Sequence, residues 1–324
     1  MSVTASKRVK YAAGIGASLV AVVQAFISLS GAATTEPRAA ASADRLMTAR
    51  NGACAVYLQS GSILITGGQA LKNTLATTEV FNVRTGTTAG ATMVAARSGH
   101  ACAALANGSI LVAGGTGANG AALNSAEIYD PSTGSWGSVS AMQKARTGAT
   151  ASLLSTGKIL IAGGDNSGVA TNTLEIFDPA TKTFLTVPQT LVTNRTQHAA
   201  SVLKNGKVLL FGGSDGSNSL DTIESYDPST GSVSVAGKMS TPRAGLTATL
   251  LLDGRVFLAG GSSNGKNEVS STEIFNPQTG TVIAAASMAA PRRGHLALRL
   301  PENNAVLILG GAGNGNLVAA AELY

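Results

Sequence analysis

The sequence predicts an all-β protein, because a unit of 47 to 50 residues is repeated six times along the chain.

 The expected fold is a six-bladed β-propeller with four antiparallel strands in each blade. In every unit a short apolar run ends in Gly-Gly, and the segment Glu-x-(Tyr/Phe) follows the doublet at a nearly constant distance. A period near 50 residues with four short β segments per unit is typical of propeller blades.

Three kinds of residue mark the six units. The doublets are Gly67-Gly68, Gly114-Gly115, Gly163-Gly164, Gly212-Gly213, Gly260-Gly261 and Gly310-Gly311. The glutamates are Glu79, Glu127, Glu175, Glu224, Glu273 and Glu322. The arginines, each of which begins a unit, are Arg50, Arg97, Arg146, Arg195, Arg243 and Arg292. Because a fold needs the same residues in every blade, we interpret the doublets and the glutamates as structural.

The second unit shows how the four strands follow one another. Residues 99–105 predict the innermost strand, a, because their small side chains suit a crowded centre. Asn107-Gly108 then predicts a two-residue hairpin turn, since both residues tolerate positive φ. Residues 110–113 are apolar on both faces and predict strand b, between neighbouring blades. Residues 126–129 predict strand c, and strand d carries Trp136.

An apolar position recurs four residues before five of the arginines. Its occupants are Met93, Met142, Leu191, Met239 and Met288. The regular spacing predicts core positions and not a cofactor site.

The first 33 residues differ from the rest of the chain. Lys7, Arg8 and Lys10 precede a mostly apolar stretch over residues 11–29, and small residues follow it. This pattern predicts a signal peptide over residues 1–33, cleaved after Ala32 or Ala33, and an exported propeller over residues 34–324. The alternative is an uncleaved anchor, because 19 mostly apolar residues are just long enough to span a bilayer.

The two ends of the propeller sequence complement each other. The sixth unit stops at Tyr324, at the end of strand c, and residues 38–47 resemble a spare strand d. We therefore expect the N-terminal strand to complete the last blade, which would leave no free edge. The alternative is a truncated gene product.

Charge excludes one class of partner. Residues 1–33 hold three of the 23 Lys and Arg residues, which leaves 20 against 17 Asp and Glu residues in the propeller. The propeller contains no run of basic residues, so we predict no nucleic-acid partner. A membrane partner is expected only if the N-terminal segment is retained.

The two cysteines are predicted to be small packing residues without a disulfide. Cys54 lies four residues after its arginine and Cys102 five after its own, and a shift of one residue turns a side chain to the other face of a strand. Packed sheets are also ~10 Å apart, whereas a disulfide needs Cα atoms within ~7 Å.

The Gly-Gly doublet after an apolar strand and the Glu-x-Tyr segment resemble the kelch repeat, over residues 37–324 and in six copies. The tryptophan position of that repeat holds Trp136 and Phe184 in two units and small or aliphatic residues in the others. The form Arg-x-Gly-His with Asp-Pro-x-Thr-Gly is similar to exported bacterial kelch proteins and to the propeller part of galactose-oxidase-like proteins. The resemblance implies a propeller used as a binding scaffold, an oxidase or a sugar epimerase.

The long b–c loops are the predicted ligand surface, because loops on a rigid scaffold commonly carry binding residues. The b–c and d–a loops of an a-b-c-d meander lie on one face, and the short a–b and c–d turns lie on the other. The candidate ligand-binding residues in the b–c loops are Asp165, Asp215, Asn218 and Lys266. Further polar residues in these loops are Asn73, Asn119, Asn166 and Asn316.

The six arginines have two interpretations. They begin strand a, so they could ring the central channel on the same face and bind a carboxylate or an acidic sugar. Alternatively, each pairs with the glutamate of its unit. Equal numbers and constant spacing favour the pairing, but the arginines remain candidate ligand-binding residues.

The sequence offers three possible metal sites, and its patterns argue against each of them. His100, His198 and His295 occupy the same position in alternate units, which invites a three-histidine zinc site. Inner strands two blades apart are too distant for metal–nitrogen bonds of ~2.1 Å unless all three side chains point straight inward. Residues 215–218 could hold calcium, but no carboxylates flank them at ligand spacing. The copper site of galactose oxidase needs paired tyrosines, histidine and a cross-linked cysteine, and no such cluster is visible.

We therefore predict no metal, no cofactor and no catalytic residue. The favoured function is an exported scaffold that recognises a protein or a glycan through its b–c loops. The alternative is a periplasmic carbohydrate-active enzyme resembling sialic-acid epimerase-type kelch proteins, and a third hypothesis is a structural part of a larger surface protein. An enzyme should carry residues that break the sixfold pattern at the channel mouth, and Arg293 is one such residue.

Overall fold

The computed structural model describes residues 47–48, 50, 52–70, 72–82, 85–299, 304–317 and 322–324. The expected signal peptide and residues 38–46 of the expected closing strand lie outside these residues, so both remain predictions. In the part of the chain that the structure describes, no helix is long and apolar enough to span a membrane.

The all-β, six-bladed propeller is confirmed. Strand a spans Cys54–Tyr57, Ala101–Ala104, Thr150–Leu153, Ala199–Val202, Thr247–Leu250 and Leu296–Arg299. Strand b spans Ile63–Thr66, Ile110–Ala113, Ile159–Ala162, Val208–Phe211, Val256–Ala259 and Val306–Leu309. Strand c spans Thr78–Asn82, Ala126–Asp130, Thr173–Asp178, Thr222–Asp227, Thr272–Asn276 and Glu322–Leu323. Strand d spans Gly86–Ala89, Ser135–Ser138, Thr183–Thr190, Ser232–Lys238 and Thr281–Ala285.

Each of the first five blades is an antiparallel meander in the order a-b-c-d, and the described strands of blade 6 form a sheet a-b-c. In blade 2, Ala101 pairs with Ala113 and Val112 pairs with Glu127, which fixes the register of the inner three strands. Three b–c loops also contain a short hairpin. These hairpins pair Gln69–Ala70 with Asn73–Thr74, Asp165–Asn166 with Val169–Ala170, and Ala312–Gly313 with Asn316–Leu317.

The core lies between neighbouring blades. Every residue of strand b is buried in blades 1 to 5, because this strand is covered by a blade on each side. Leu111 of blade 2 and Phe177 of blade 3 belong to one apolar cluster, and Phe211 of blade 4 and Phe275 of blade 5 belong to another. The predicted core position is confirmed, since all five of its occupants are buried: Met93, Met142, Leu191, Met239 and Met288.

The Gly-Gly doublet is a docking point for the next blade. Gly114 and Gly115 both have positive φ, 69° and 94°. The amide of Gly115 donates to the carbonyl oxygen of Arg146, at 2.9 Å, and a Cβ atom on Gly114 would collide with that oxygen. A larger residue would push the neighbouring blade away, which explains why the doublet recurs.

The prediction for the cysteines was wrong, because Cys54 and Cys102 form a disulfide with their Cα atoms 6.3 Å apart. Inner strands converge toward the axis, so their spacing is smaller than the ~10 Å typical of packed sheets. The one-residue offset between the two cysteines also brings their side chains together instead of separating them. Adjacent blades present opposite faces to each other, so side chains that meet come from positions of different parity. Neither cysteine is fully buried.

Candidate functional site

A buried ion pair holds the start of each unit. In blade 4, Arg195 donates to Glu224, to the carbonyl oxygen of Gly212 at 2.7 Å and to the Thr222 hydroxyl at 3.1 Å. The Glu224 carboxylate also accepts from the amides of Val192 and Thr193, at 2.7 and 3.0 Å. Glu224, on strand c of blade 4, thereby holds the d–a loop through which the chain enters blade 4.

The same pair occurs in all six units. The other five pairs have N···O distances of 2.5–2.7 Å: Arg50–Glu79, Arg97–Glu127, Arg146–Glu175, Arg243–Glu273 and Arg292–Glu322. All six arginine side chains are buried, at 0–1% exposure. Burial lowers the pKa of Arg195, and the charge of Glu224 opposes that shift. The structure therefore favours the structural interpretation of the arginines over ligand binding.

The three histidines are separate and lie between blades. The Nε2 atoms of His100, His198 and His295 lie 2.8–2.9 Å from the hydroxyl oxygens of threonines in the preceding blade. These threonines are Thr66, Thr150 and Thr247. Burial, and next the charge of the nearby arginine, lowers the pKa of each histidine to about 3. The described residues include no group of three or more side chains suited to hold a metal ion.

The candidate residues in the b–c loops differ in their surroundings. Asp215 accepts from the amides of Ser217 and Asn218, at 2.8 and 2.7 Å, and these bonds lower its pKa. Asp215 and Asn218 therefore form one local turn. Lys266 is exposed on a different loop, in blade 5.

Asp165 has longer-range contacts. Its Oδ2 atom accepts from the hydroxyl of Thr196 in blade 4, at 3.0 Å, and its Oδ1 atom accepts from the amide of Gly168, at 3.1 Å. This carboxylate thus lies at the junction of blades 3 and 4.

Five backbone hydrogen bonds connect the d–a loops of successive blades on the b–c face, and sequence reasoning missed them. One residue from each blade takes part in them: Gly52, Gly99, Gly148, Gln197, Gly245 and Gly294. The amide of each of the last five donates to the carbonyl oxygen of the residue before it in this series, at 2.7–2.9 Å. Since these bonds connect all six blades in turn, we call this set the axial ring.

All six ring residues have positive φ, between 53° and 70°, and five of them are glycine. The exception is Gln197, whose side chain is exposed. The signal was present in the sequence, because the motif Arg-x-Gly becomes Arg195-Thr196-Gln197 in the fourth unit.

Next to the axial ring lies a second set of residues, which we call the mouth pairs. Each pair joins the residue after an arginine to the residue after a doublet through an antiparallel bridge. The pairs are Ser98–Thr116, Thr147–Asp165, Thr196–Ser214, Ala244–Ser262 and Arg293–Ala312. Among these described pairs, only Asp165 and Arg293 carry ionisable side chains.

Arg293, singled out in the sequence, lies in this mouth. Its Nε atom is 3.2 Å from Oε1 of Glu268, and one terminal nitrogen donates to the carbonyl oxygen of Gly265 at 3.2 Å. Its side chain is 42% exposed. Among the described residues of the axial ring and the mouth pairs, Gln197 is the one amide, Asp165 the one carboxylate and Arg293 the one guanidinium.

Comparisons with known proteins agree with this architecture. A family model described as the KLHDC2/KLHL20/DRC7 Kelch-repeats domain matches residues 148–323, and a Kelch motif model matches residues 96–143. The solved structure titled "Structure of YjhT" is similar, with a TM-score of 0.72 and 18% identity over 85% of this chain and 94% of that chain, which shows a shared fold. No curated protein matches the chain significantly. Since the first model spans more than half of the sequence, the chain belongs to the kelch-repeat family.

Proposed function

We propose that the protein is an exported interaction scaffold that recognises a partner protein through the b–c face of its propeller. One observation carries the proposal. The buried arginine–glutamate pair is the same in every unit, whereas residues that depart from the repeat gather at the mouth on the b–c face. They are Gln197, Asp165 and Arg293. Residues that differ from the repeat, and that the fold does not require, are expected at a binding site.

Two features support export. A disulfide joins Cys54 to Cys102, and disulfides persist mainly in oxidising compartments. Residues 1–33 have the charged, apolar and small-residue order of a signal peptide. N-terminal sequencing of the mature protein tests this part of the proposal. A start at residue 33 or 34 supports cleavage, and an N-terminus at Met1 would indicate a retained anchor.

The partner surface can be tested by site-specific photo-crosslinking in the cells that make the protein. The crosslinking amino acid replaces Val169 or Lys266 on the b–c face, and Tyr57 or Leu252 near the a–b turns as matched controls. All four positions are exposed. We expect a discrete protein adduct from the b–c positions only. Equal adducts from both faces, or adducts from the a–b turns alone, would contradict the proposal.

A glycan array that includes acidic sugars separates the alternatives. Binding to the array, without a protein adduct, would favour glycan recognition and would justify an assay for sugar epimerase activity. Binding to neither, with adducts on the b–c face, supports a protein partner.

A further inference from the structure

Gln197 has a strained backbone conformation. An L-residue at φ +53° is strained, and glycine is the residue that adopts this conformation freely. Five of six axial-ring residues are glycine and make the same backbone hydrogen bonds. The ring therefore does not need a glutamine side chain. Strained residues that the fold does not require commonly mark binding sites.

The Gln197 side chain lies at the mouth. A Cβ atom on Gly148, the ring residue of blade 3, would be 3.3 Å from Cγ of Gln197, so the glutamine side chain lies beside that neighbour. It is exposed to solvent. An amide can both donate and accept hydrogen bonds, which matches a peptide group.

Asp165 lies at the junction of blades 3 and 4. Its bond to Thr196 joins blades 3 and 4, and at the junction of blades 2 and 3 the hydroxyl of Thr116 makes the equivalent bond to Thr147, at 3.2 Å. A hydroxyl is therefore sufficient to join neighbouring blades at this position. The carboxylate of Asp165 adds a negative charge that the junction does not require.

Arg293 is the positively charged residue of the mouth pairs. The equivalent positions of the other five units hold Asn51, Ser98, Thr147, Thr196 and Ala244, so an arginine is not part of the repeat. Glu268 and the carbonyl oxygen of Gly265 orient the guanidinium, and Glu268 itself is only 8% exposed. Lys266, on the same loop as Glu268, adds a second positive charge to this side of the mouth.

Asp165 and Arg293 place opposite charges on opposite sides of the mouth. Asp165 belongs to blade 3 and Arg293 to blade 6, and blades three apart in a six-bladed propeller lie on opposite sides of the axis. Gln197, from blade 4, lies beside the acidic side. A carboxylate binds a cation, and a guanidinium binds a carboxylate.

From this arrangement we infer that the mouth binds a peptide segment with a basic and an acidic side chain. The basic group faces Asp165, the acidic group faces Arg293, and Gln197 bonds to the peptide backbone between them. This rests on the proposed function and names the part of the partner protein that enters the mouth.

The test uses synthetic peptides of the form acetyl-Lys-(Gly)n-Glu-amide, with one to four glycines, added to the purified protein. Control peptides carry glutamine in place of the lysine, of the glutamate or of both. Affinity is measured by NMR titration. We expect the best doubly charged peptide to bind at least about tenfold more tightly than each singly charged control.

Three substitutions locate the site. Gln197→Gly should weaken binding at least about tenfold while raising Tm by roughly 2 °C, because it removes the strained residue. Asp165→Ser, which copies the residue at Ser214 and Ser262, should abolish the preference for lysine. Arg293→Thr, which copies Thr147 and Thr196, should abolish the preference for glutamate. Asp215→Ser is the matched control outside the mouth and should leave the affinity unchanged.

Several results would overturn the inference. One is equal binding of singly and doubly charged peptides, and another is unchanged affinity in the Gln197→Gly and Asp165→Ser variants. If no peptide binds although crosslinks form on the b–c face, the inference fails and the proposed function stands. If crosslinks on that face are also missing, both fail.

Discussion

Two kinds of junction alternate between successive blades from blade 1 to blade 6. Between blades 1 and 2, 3 and 4, and 5 and 6, a histidine bonds to a threonine, and the first of these junctions also has the disulfide. Between blades 4 and 5, the positions equivalent to Thr150 and His198 hold Ala199 and Leu246, which belong to one apolar cluster. Between blades 2 and 3 they hold Ala101 and Ala149.

The difference shows that one repeat supports two kinds of contact between blades. The doublet, the arginine and the glutamate fix the shape of each blade. From blade 2 to blade 6, the first residue of strand a and the residue after the axial ring of the next blade form the junction, whereas at the first junction Cys54 holds the strand-a position and His100 bonds to Thr66 at the end of strand b. The chemistry of these positions is free to vary. From blade 1 to blade 6, polar and apolar junctions thus alternate among similar blades.

We expect the largest effect on stability from the buried arginine–glutamate pair, which is present in every blade. Glu224→Gln should lower the free energy of unfolding by about 3–5 kcal/mol, because it leaves the buried Arg195 without its counter-charge. Glu175→Gln, in blade 3, should cost a similar amount. Urea unfolding measures both. The control is Asp253→Asn, which removes an exposed ion pair with Arg255 and should cost at most about 1 kcal/mol. A cost as small for Glu224→Gln would show that the buried pair is dispensable.

We expect the next largest effect on stability from the disulfide between blades 1 and 2. Replacing Cys54 and Cys102 by alanine should lower the free energy of unfolding by about 2–4 kcal/mol, since the bond closes a long loop in the unfolded chain. Unfolding with and without dithiothreitol measures this. The reductant should destabilise the natural protein and leave the double variant unchanged. Two free thiols in the non-reduced protein would contradict the expectation.

The polar junctions should also respond to pH. The three histidines have a folded-state pKa of about 3, below the ordinary value of 6.5, so the unfolded chain binds protons first. Their contribution to stability is complete above pH 6.5 and is lost as the pH falls toward 3. Each should contribute a slope of about 1.4 kcal/mol per pH unit in this range.

Measuring urea unfolding between pH 7.5 and 5 tests this slope. His198→Leu, which copies Leu246 in blade 5, should remove about one third of the slope that the three histidines contribute. An unchanged slope in this variant would show that the buried imidazole does not govern the acid response.

The smallest effect comes from converting an apolar junction into a polar one. Leu246→His alone should destabilise the protein, because the imidazole lacks a hydroxyl partner. Adding Ala199→Thr supplies that partner, and a double-mutant cycle should give a favourable coupling of about 1 kcal/mol. A coupling near zero would mean that the alternation depends on more than these two positions.

The parts of the fold that repeat were predictable from the sequence. Strand b and the buried methionine position follow from periodic apolar residues, and the pairing of Arg195 with Glu224 was favoured by their constant spacing. The disulfide was not predicted, because the spacing of packed sheets was applied to inner strands that converge.

The candidate site was harder to predict, since its residues are departures from the pattern. Gln197 occupies a position that is glycine in the other units, and only the positive φ of that position makes its presence informative. Asp165 and Arg293 are 128 residues apart, and their opposition depends on the closed arrangement of blades. Loop composition alone could not distinguish Asp165 from Asp215, which is bonded within its own turn.

The position of the disulfide also bears on the order in which the protein can assemble. Both cysteines lie in the first third of the chain. If the protein is exported from its N-terminus into an oxidising compartment, as we propose, both thiols emerge before the last four blades. The first two blades can then be locked together early, and their exposed face is available as a template on which the later blades add one by one.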